Sequence, residues 1–295
     1  MCGTSGAGKT QLSLQACLTV QLSEERGGVA GRAIYVDTDG CFSTRRLIQM
    51  AEAYLSLQAT IDTTDTEPGN LLSTLPPAVR ALFDNVNCVR VHDAAQLMRA
   101  LDCVEAELER AGDCHATMAI TNASAEAAPP PKLKRLLTRP PLKLLVVDNV
   151  AAVLRHSCLL EQPAVLEQWQ SALDSTAAAA EERTLYMNTI AVQLTRIAKK
   201  HDLAVLVVNQ MTSYEHEQPA QQQEADQADL QWGAKPALGE SWSHVCSLRV
   251  MLARDPSTAA VGVRLACLLK DYARAACSET VQVQLASEGV RDLPN

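Results

Sequence analysis

The chain is poor in aromatic residues, which make up 3% of its 295 positions and include only two phenylalanines. Leu, Val and Ala must therefore supply most of any core. Positive charge is also short: 26 Lys and Arg stand against 34 Asp and Glu, for a net charge of −8 and a pI near 5.3. A chain that grips DNA by general electrostatics needs Lys and Arg to neutralise phosphates, so any DNA contact must be local or made through partner subunits. No uncharged apolar run reaches membrane-spanning length, and no basic stretch followed by an apolar one opens the chain. The ten cysteines form no C-x-x-C pair and the six histidines show no ligand spacing. That argues against a structural zinc site and a disulfide framework, and leaves reduced, buried thiols as the expectation.

What is present is an ordinary apolar fraction, 47%, on a length that suits one large α/β domain or two small ones. Apolar spacing predicts helices over 11–22, 43–58 (capped by Ser43), 93–112 (capped by Asp93, stopped by Gly112) and 184–200. Strands are predicted at 32–40, 86–92, 142–153, 203–211, 247–253, 261–269 and 279–286. Residues 59–77 read as an exposed loop, 112–141 as a Pro-rich insertion and 212–235 as an acidic loop. Strands alternate with helices at first and then follow one another. This order predicts a mainly parallel sheet flanked by helices, with an antiparallel C-terminal extension. The basic cluster Lys132, Lys134, Arg135 and Arg139 reads as a solvated linker before it reads as a nuclear-import signal.

The chemistry starts at "GTSGAGKT", residues 3–10, which matches G-x-x-x-x-G-K-[ST] without a gap. Gly3, Thr4, Ser5, Gly6, Ala7 and Gly8 would present backbone amides to phosphate oxygens, helped by the start of the following helix. Lys9 would reach the β- and γ-phosphates of ATP, and the Thr10 hydroxyl would hold Mg²⁺. Asp148 closes the apolar run "LLVVD" (144–148) and stands where such an ATPase needs its second acid, on the metal directly or through water. Asp37 and Asp39 end the strand expected beside the phosphate loop, where a carboxylate can orient or deprotonate an attacking water. Gln210 ends "VLVVNQ", where an amide can contact the γ-phosphate and report it to the loop beyond. In open α/β sheets, ligands bind beyond the carboxyl ends of the strands.

Taken in order, "GTSGAGKTQL", "GGVAGRAIYVDTDGCFSTRRL", "LLVVDNVAAVLR", "LAVLVVNQM" and "PALGESWSH" resemble the RecA-like recombinase core. The eukaryotic recombinase paralogues are nearest, and "GGVAG" with "PALGESW" looks most like their C-type branch. The resemblance implies a single RecA-like ATPase core over 1–295, of the DNA-dependent ATPase type. It also implies a nuclear role in homologous recombination and double-strand-break repair. The partners implied are other paralogues or the main strand-exchange recombinase, with single-stranded or branched DNA held mainly through the complex. By the same resemblance Lys9 and Thr10 bind ATP and Mg²⁺, Gln210 is the γ-phosphate sensor and Arg46 packs on the adenine. The loops near 155–183 and 212–235 would face DNA.

The departures set further expectations. The family's catalytic glutamate falls at Asp39, one methylene shorter, and ångström-scale misplacement costs rate, so slow turnover with retained ATP binding is expected. Glu215, Glu217, Glu224, Asp226 and Asp229 make the second loop a poor DNA ligand by itself. The family's N-terminal helical domain is not in the sequence. Only Met1 and Cys2 precede Gly3, where the fold wants a strand of about five residues, so a core shortened at its start is expected. The alternative function is a nucleotide-binding scaffold subunit that hydrolyses nothing. A P-loop kinase fits less well, because no Arg-dense lid segment is visible.

Overall fold

The computed structural model describes residues 1–55, 75–121, 139–154, 171–213, 234–254, 262–273 and 280–293. Its centre is a four-stranded parallel sheet in the order β3-β2-β4-β5, formed by β2 (Arg32–Asp37), β3 (Val86–Arg90), β4 (Leu142–Asp148) and β5 (Ala204–Val207). In β2 and β4 successive side chains point to opposite faces, and both faces are covered. On one face Ile34, Val36, Leu145 and Val147 meet Leu97 and Leu101 of α4 (Ala94–Thr121) and Ile190, Leu194 and Ile197 of α5 (Ser171–Lys200). On the other, Ala33, Tyr35, Leu144 and Val146 meet three helices: α1 (Lys9–Thr19), α2 (Thr44–Tyr54) and α3 (Pro77–Asp84). Two helix layers on a parallel sheet explain why "LLVV" is an unbroken apolar run rather than an alternating one.

A second sheet has the order β11-β10-β9-β8-β1-β6-β7. It contains β1 (Cys2–Gly3), β6 (Asn209–Ser213), β7 (Ala234–Pro236), β8 (Leu248–Arg254), β9 (Val263–Asp271), β10 (Thr280–Ala286) and β11 (Gly289–Asp292). A short helix, α6 (Gly239–Val245), leads into β8. β1 lies parallel between β6 and β8, while β8 through β11 run antiparallel. The strand ahead of the phosphate loop is thus a two-residue strand, with Asn209 N–H donating to the Met1 carbonyl at 2.8 Å. The run predicted as one strand over 203–211 changes partners at Val208. Its first half pairs with β4 and its second half with β1, joining the two sheets. The fold class is as expected: α/β, mainly parallel, with an antiparallel C-terminal extension.

Some boundaries differ. Helix α4 runs through Gly112 to Thr121; one glycine costs only about 1 kcal/mol in a helix, too little to end it. Helix α5 starts at Ser171, thirteen residues before the predicted 184, through the Ala-rich stretch. Helix α3 was not foreseen, although Pro77 at its first position is a standard start signal. Ser43 and Asp93 cap as expected, accepting from the amides of Arg46 and Gln96. The thiols divide: Cys2, Cys17 and Cys267 are buried, but Cys41, Cys88 and Cys103 are exposed, against the expectation of burial. None of these six is in a disulfide, and burial foremost pushes the Cys17 thiol up to about 12. Of the basic cluster, only Arg139 falls among the described residues, as do only the edges of the 212–235 loop. Among the described residues no helix is long and apolar enough to cross a membrane.

Candidate nucleotide site

β1, the loop of residues 4–8 and α1 place the phosphate-binding pattern at the carboxyl ends of both sheets. Gly3 is pressed against β8: a Cβ there would lie 2.1 Å from the Leu252 carbonyl oxygen, so no larger residue fits. Gly8 takes φ +98° as the residue before α1; the helix has no side-chain cap and no acid in its first turn. Its first amides and the positive end of its dipole are left for an anion. Lys9 Nζ donates to the carbonyls of Gly3 and Thr4, both at 2.8 Å, so the ammonium lies folded over the loop. Burial lowers its pKa, and the Asp148 carboxylate pulls the other way.

Asp148, 4% exposed at the end of β4, collects two hydroxyls on one oxygen. Its Oδ2 accepts from Thr10 Oγ1 at 2.7 Å and from Tyr35 Oη at 2.6 Å. Burial raises the Asp148 pKa, with the Tyr35 and Thr10 hydrogen bonds opposing that rise. Tyr35 is held protonated, mainly by burial and then by the Asp148 charge. The Thr10 hydroxyl and Asp148 carboxylate are hard oxygen donors side by side. Among the described residues no group of three or more His, Cys, Asp or Glu forms a metal cage. A sparse oxygen set of this kind suits Mg²⁺, which binds through one or two protein oxygens, water and substrate phosphates.

Beyond Thr10 and Asp148, Asp39 and Gln210 are brought together. Asp39 Oδ2 accepts from Gln210 Nε2 at 3.1 Å and from Asn149 Nδ2 at 2.6 Å. Asn149 is fixed in turn: its backbone N–H donates to Thr38 Oγ1 at 2.6 Å and the Thr38 hydroxyl donates to its carbonyl at 2.8 Å. Asp37 is placed differently from Asp39. Its carboxylate accepts from the amides of Gly40, Cys41 and Phe42 and pairs with Arg90 at 2.8 Å. Those bonds make it the clasp of the turn after β2. Strand position alone put the two aspartates together and the family resemblance singled out Asp39; in the structure Asp39 is the one bonded to Gln210.

Arg46, on α2, lies next to α1 and the β10–β11 turn. Its guanidinium donates to Gln11 Oε1 and Gln49 Oε1, both at 2.6 Å, and to the carbonyls of Ala286 at 2.7 Å and Ser287 at 2.5 Å. Burial lowers its pKa against the pull of Glu288. Two contributors went unseen in the sequence. Tyr35 alternates as an ordinary strand residue, and only its place across from Asp148 in the β2–β4 register reveals it. Asn149 could have been suspected from its position directly after the second acid.

Residues 1–64 match the family model described as Rad51. The chain is 26% identical to the DNA repair protein RAD51 homolog 3 of Cricetulus griseus over 99% of this chain and 62% of that protein. It is 28% identical to the DNA repair protein XRCC3 of Bos taurus over 100% of this chain and 68% of that one. The chain is thus similar to the Rad51 family over its first 64 residues and to RecA-like eukaryotic recombinase paralogues along its length. A shorter stretch, 17% of this chain, is 51% identical to the DNA repair and recombination protein RadA of Metallosphaera sedula, over 16% of that protein. The first-named relative is thus spanned for less than two thirds of its length. The chain matches relatives of both names at similar identity, and these relatives are named as DNA repair proteins.

Proposed function

We propose that the chain is an ATP-binding recombinase paralogue that assists homologous recombination and double-strand-break repair within a complex, in the nucleus. The observation that carries this reading is the 2.7 Å contact between Thr10 of the phosphate loop and Asp148, 138 residues away, beside Lys9. The amides of residues 3–8 and the start of α1 would receive the ATP phosphates, and Lys9 would exchange the Gly3 and Thr4 carbonyls for them. Thr10 and Asp148 would hold Mg²⁺, which when bound neutralises charge on the phosphate oxygens. Gln210 would sense the γ-phosphate through its bond to Asp39, the residue that would orient the water. Arg46 would pack on the adenine, its guanidinium already held in place by Gln11 and the β10–β11 turn.

The net charge of −8 favours DNA binding by the assembly over binding by the lone chain. Partners would be other recombinase paralogues or the main strand-exchange recombinase. The test is to mix the purified chain with such partners, with and without ATP. ATP-dependent assembly and single-strand DNA binding by the mixture are expected; absence of both would end this reading.

One observation favours a second reading, a scaffold subunit that binds ATP without hydrolysing it. Asp39 is a methylene shorter than glutamate, and its Oδ2 is occupied by two amides. Asp39→Glu separates the readings in a phosphate-release assay. A rise in turnover identifies a slowed hydrolase, and no turnover in either form identifies the scaffold.

A further inference from the structure

The phosphate-binding pattern leaves position 6 free, yet it holds Gly6, and the reason lies outside the motif. Gly6 has φ +71°, and a Cβ added to it would lie 2.1 Å from Arg254 Nη2. Arg264 reaches the same residue: its Nε donates to the Gly6 carbonyl at 3.1 Å. Arg254 ends β8 and stands directly opposite Arg264 in the β8–β9 ladder. Like charges placed opposite one another in an antiparallel pair repel, and among the described residues no carboxylate is ion-paired with either arginine. The Arg264 pKa is lowered, by burial first and then by the Arg254 charge. Two guanidinium groups, with no ion-paired carboxylate among the described residues, therefore converge on one residue of a loop shaped to hold an anion.

We propose that Arg254 and Arg264 are a polyphosphate-reading pair of this site, contributed by the C-terminal strands to the phosphate loop. This rests on the nucleotide reading of that loop. Arg264 fixes the Gly6 carbonyl, and with it the direction of the neighbouring amides. The two guanidinium groups together supply charge that matches phosphate oxygens. The ligand class is a nucleoside di- or triphosphate, with the monophosphate gaining least. Binding would relieve the repulsion between the arginines, so the strain is set against the empty site rather than the filled one.

The experiment compares wild type with Arg254→Gln, Arg264→Gln and the double variant. Binding of ATP, ADP and AMP is measured by calorimetry, with inorganic tripolyphosphate as competitor, and thermal unfolding is followed with and without ATP. Each single variant is expected to lose about 10-fold in ATP affinity, the scale of one hydrogen bond to a charged group, with a smaller loss for AMP. The unfolding temperature without ATP should hold or rise, because the like-charge contact is gone, while the ATP-induced increase shrinks. A merely structural pair would do the reverse, lowering the temperature without ATP and leaving affinity unchanged; that outcome overturns the proposal. Equal loss for ATP and AMP overturns it as well. If wild type itself binds no nucleotide, the reading of the loop fails; if wild type binds and the variants bind equally, only the arginine pair fails.

Discussion

Every residue of β2, from Arg32 to Asp37, is buried, whereas no residue of β10, from Thr280 to Ala286, is. The two strands share one chain and differ in what covers them. β2 lies between two helix layers, and its neighbours β3 and β4 pair with it in parallel. β10 belongs to the antiparallel extension, where its residues are exposed or only partly covered. The division extends to charge. The two inner parallel strands, β2 and β4, end in the acids Asp37 and Asp148, with Asp39 in the turn just beyond β2, while the outer β3 ends in Arg90. The antiparallel strands bring Arg254 and Arg264 to Gly6, Leu285 to Gly8, and the Ala286 and Ser287 carbonyls to Arg46. The candidate site lies on the seam, with the Asp148 carboxylate on the buried half and its bracing on the more exposed half. Regions with few buried apolar contacts open at lower free energy, so the bracing side is the part expected to respond to what is bound.

The largest effect should come from testing the burial contrast itself. Leu145 is fully buried in β4, and Leu145→Ala should cost about 2–5 kcal/mol of unfolding free energy. Val281 in β10 is 57% exposed, and Val281→Ala should stay within about 0.5 kcal/mol. Urea unfolding of the two variants reads both numbers. Comparable losses would mean that the extension is as firmly packed as the centre, and the contrast would be broken.

Next in size is a change at the buried side of the seam. Tyr35→Phe keeps the ring in its packing but removes one of the two hydroxyls on Asp148 Oδ2. A hydrogen bond to a charged group is worth about 1.5–3 kcal/mol, so a loss of that order is expected at neutral pH. The hydrogen bond holds the carboxylate charged, so removing it should raise the Asp148 pKa further. The penalty should therefore shrink as pH falls and Asp148 takes up its proton. A penalty independent of pH between neutral and acid would show that Tyr35 contributes by packing alone.

The two halves were unequally legible in the sequence for a physical reason. The phosphate loop is a contiguous motif, and Asp148 follows a run of buried residues, so local pattern sufficed for both. The parallel centre was readable because helices and strands each carry their own apolar period. Strand position alone did not separate Asp37 from Asp39, and the resemblance did; their different neighbours, Arg90 for Asp37 and Gln210 for Asp39, come from elsewhere in the chain. Arg254 and Arg264 were not singled out by the sequence. Their convergence on Gly6 depends on a register of strands more than 240 residues from the loop, and no local pattern encodes that. Helix α4 passing Gly112 shows the opposite failure, a strong local signal overruled by its surroundings.

The smallest expected effect sharpens the contrast most locally. Gln15 on α1 clasps β11 by both ends of its amide: Val290 N–H donates to Gln15 Oε1 at 2.6 Å, and Gln15 Nε2 donates to the Val290 carbonyl at 3.2 Å. This pair closes the extension onto the phosphate-loop helix. Gln15→Ala should cost about 1 kcal/mol, the usual net worth of such bonds. The informative readout is where that loss appears. Hydrogen exchange should quicken at Val290 and along the β10–β11 ladder, while the amides of β2 and β4 keep their rates, because the extension opens without the centre. Adding ATP should slow the β10–β11 exchange in both forms if Arg46 and the turn meet the nucleotide. Uniform quickening across both sheets would instead make the molecule one cooperative unit, and the more exposed half would lose its separate identity.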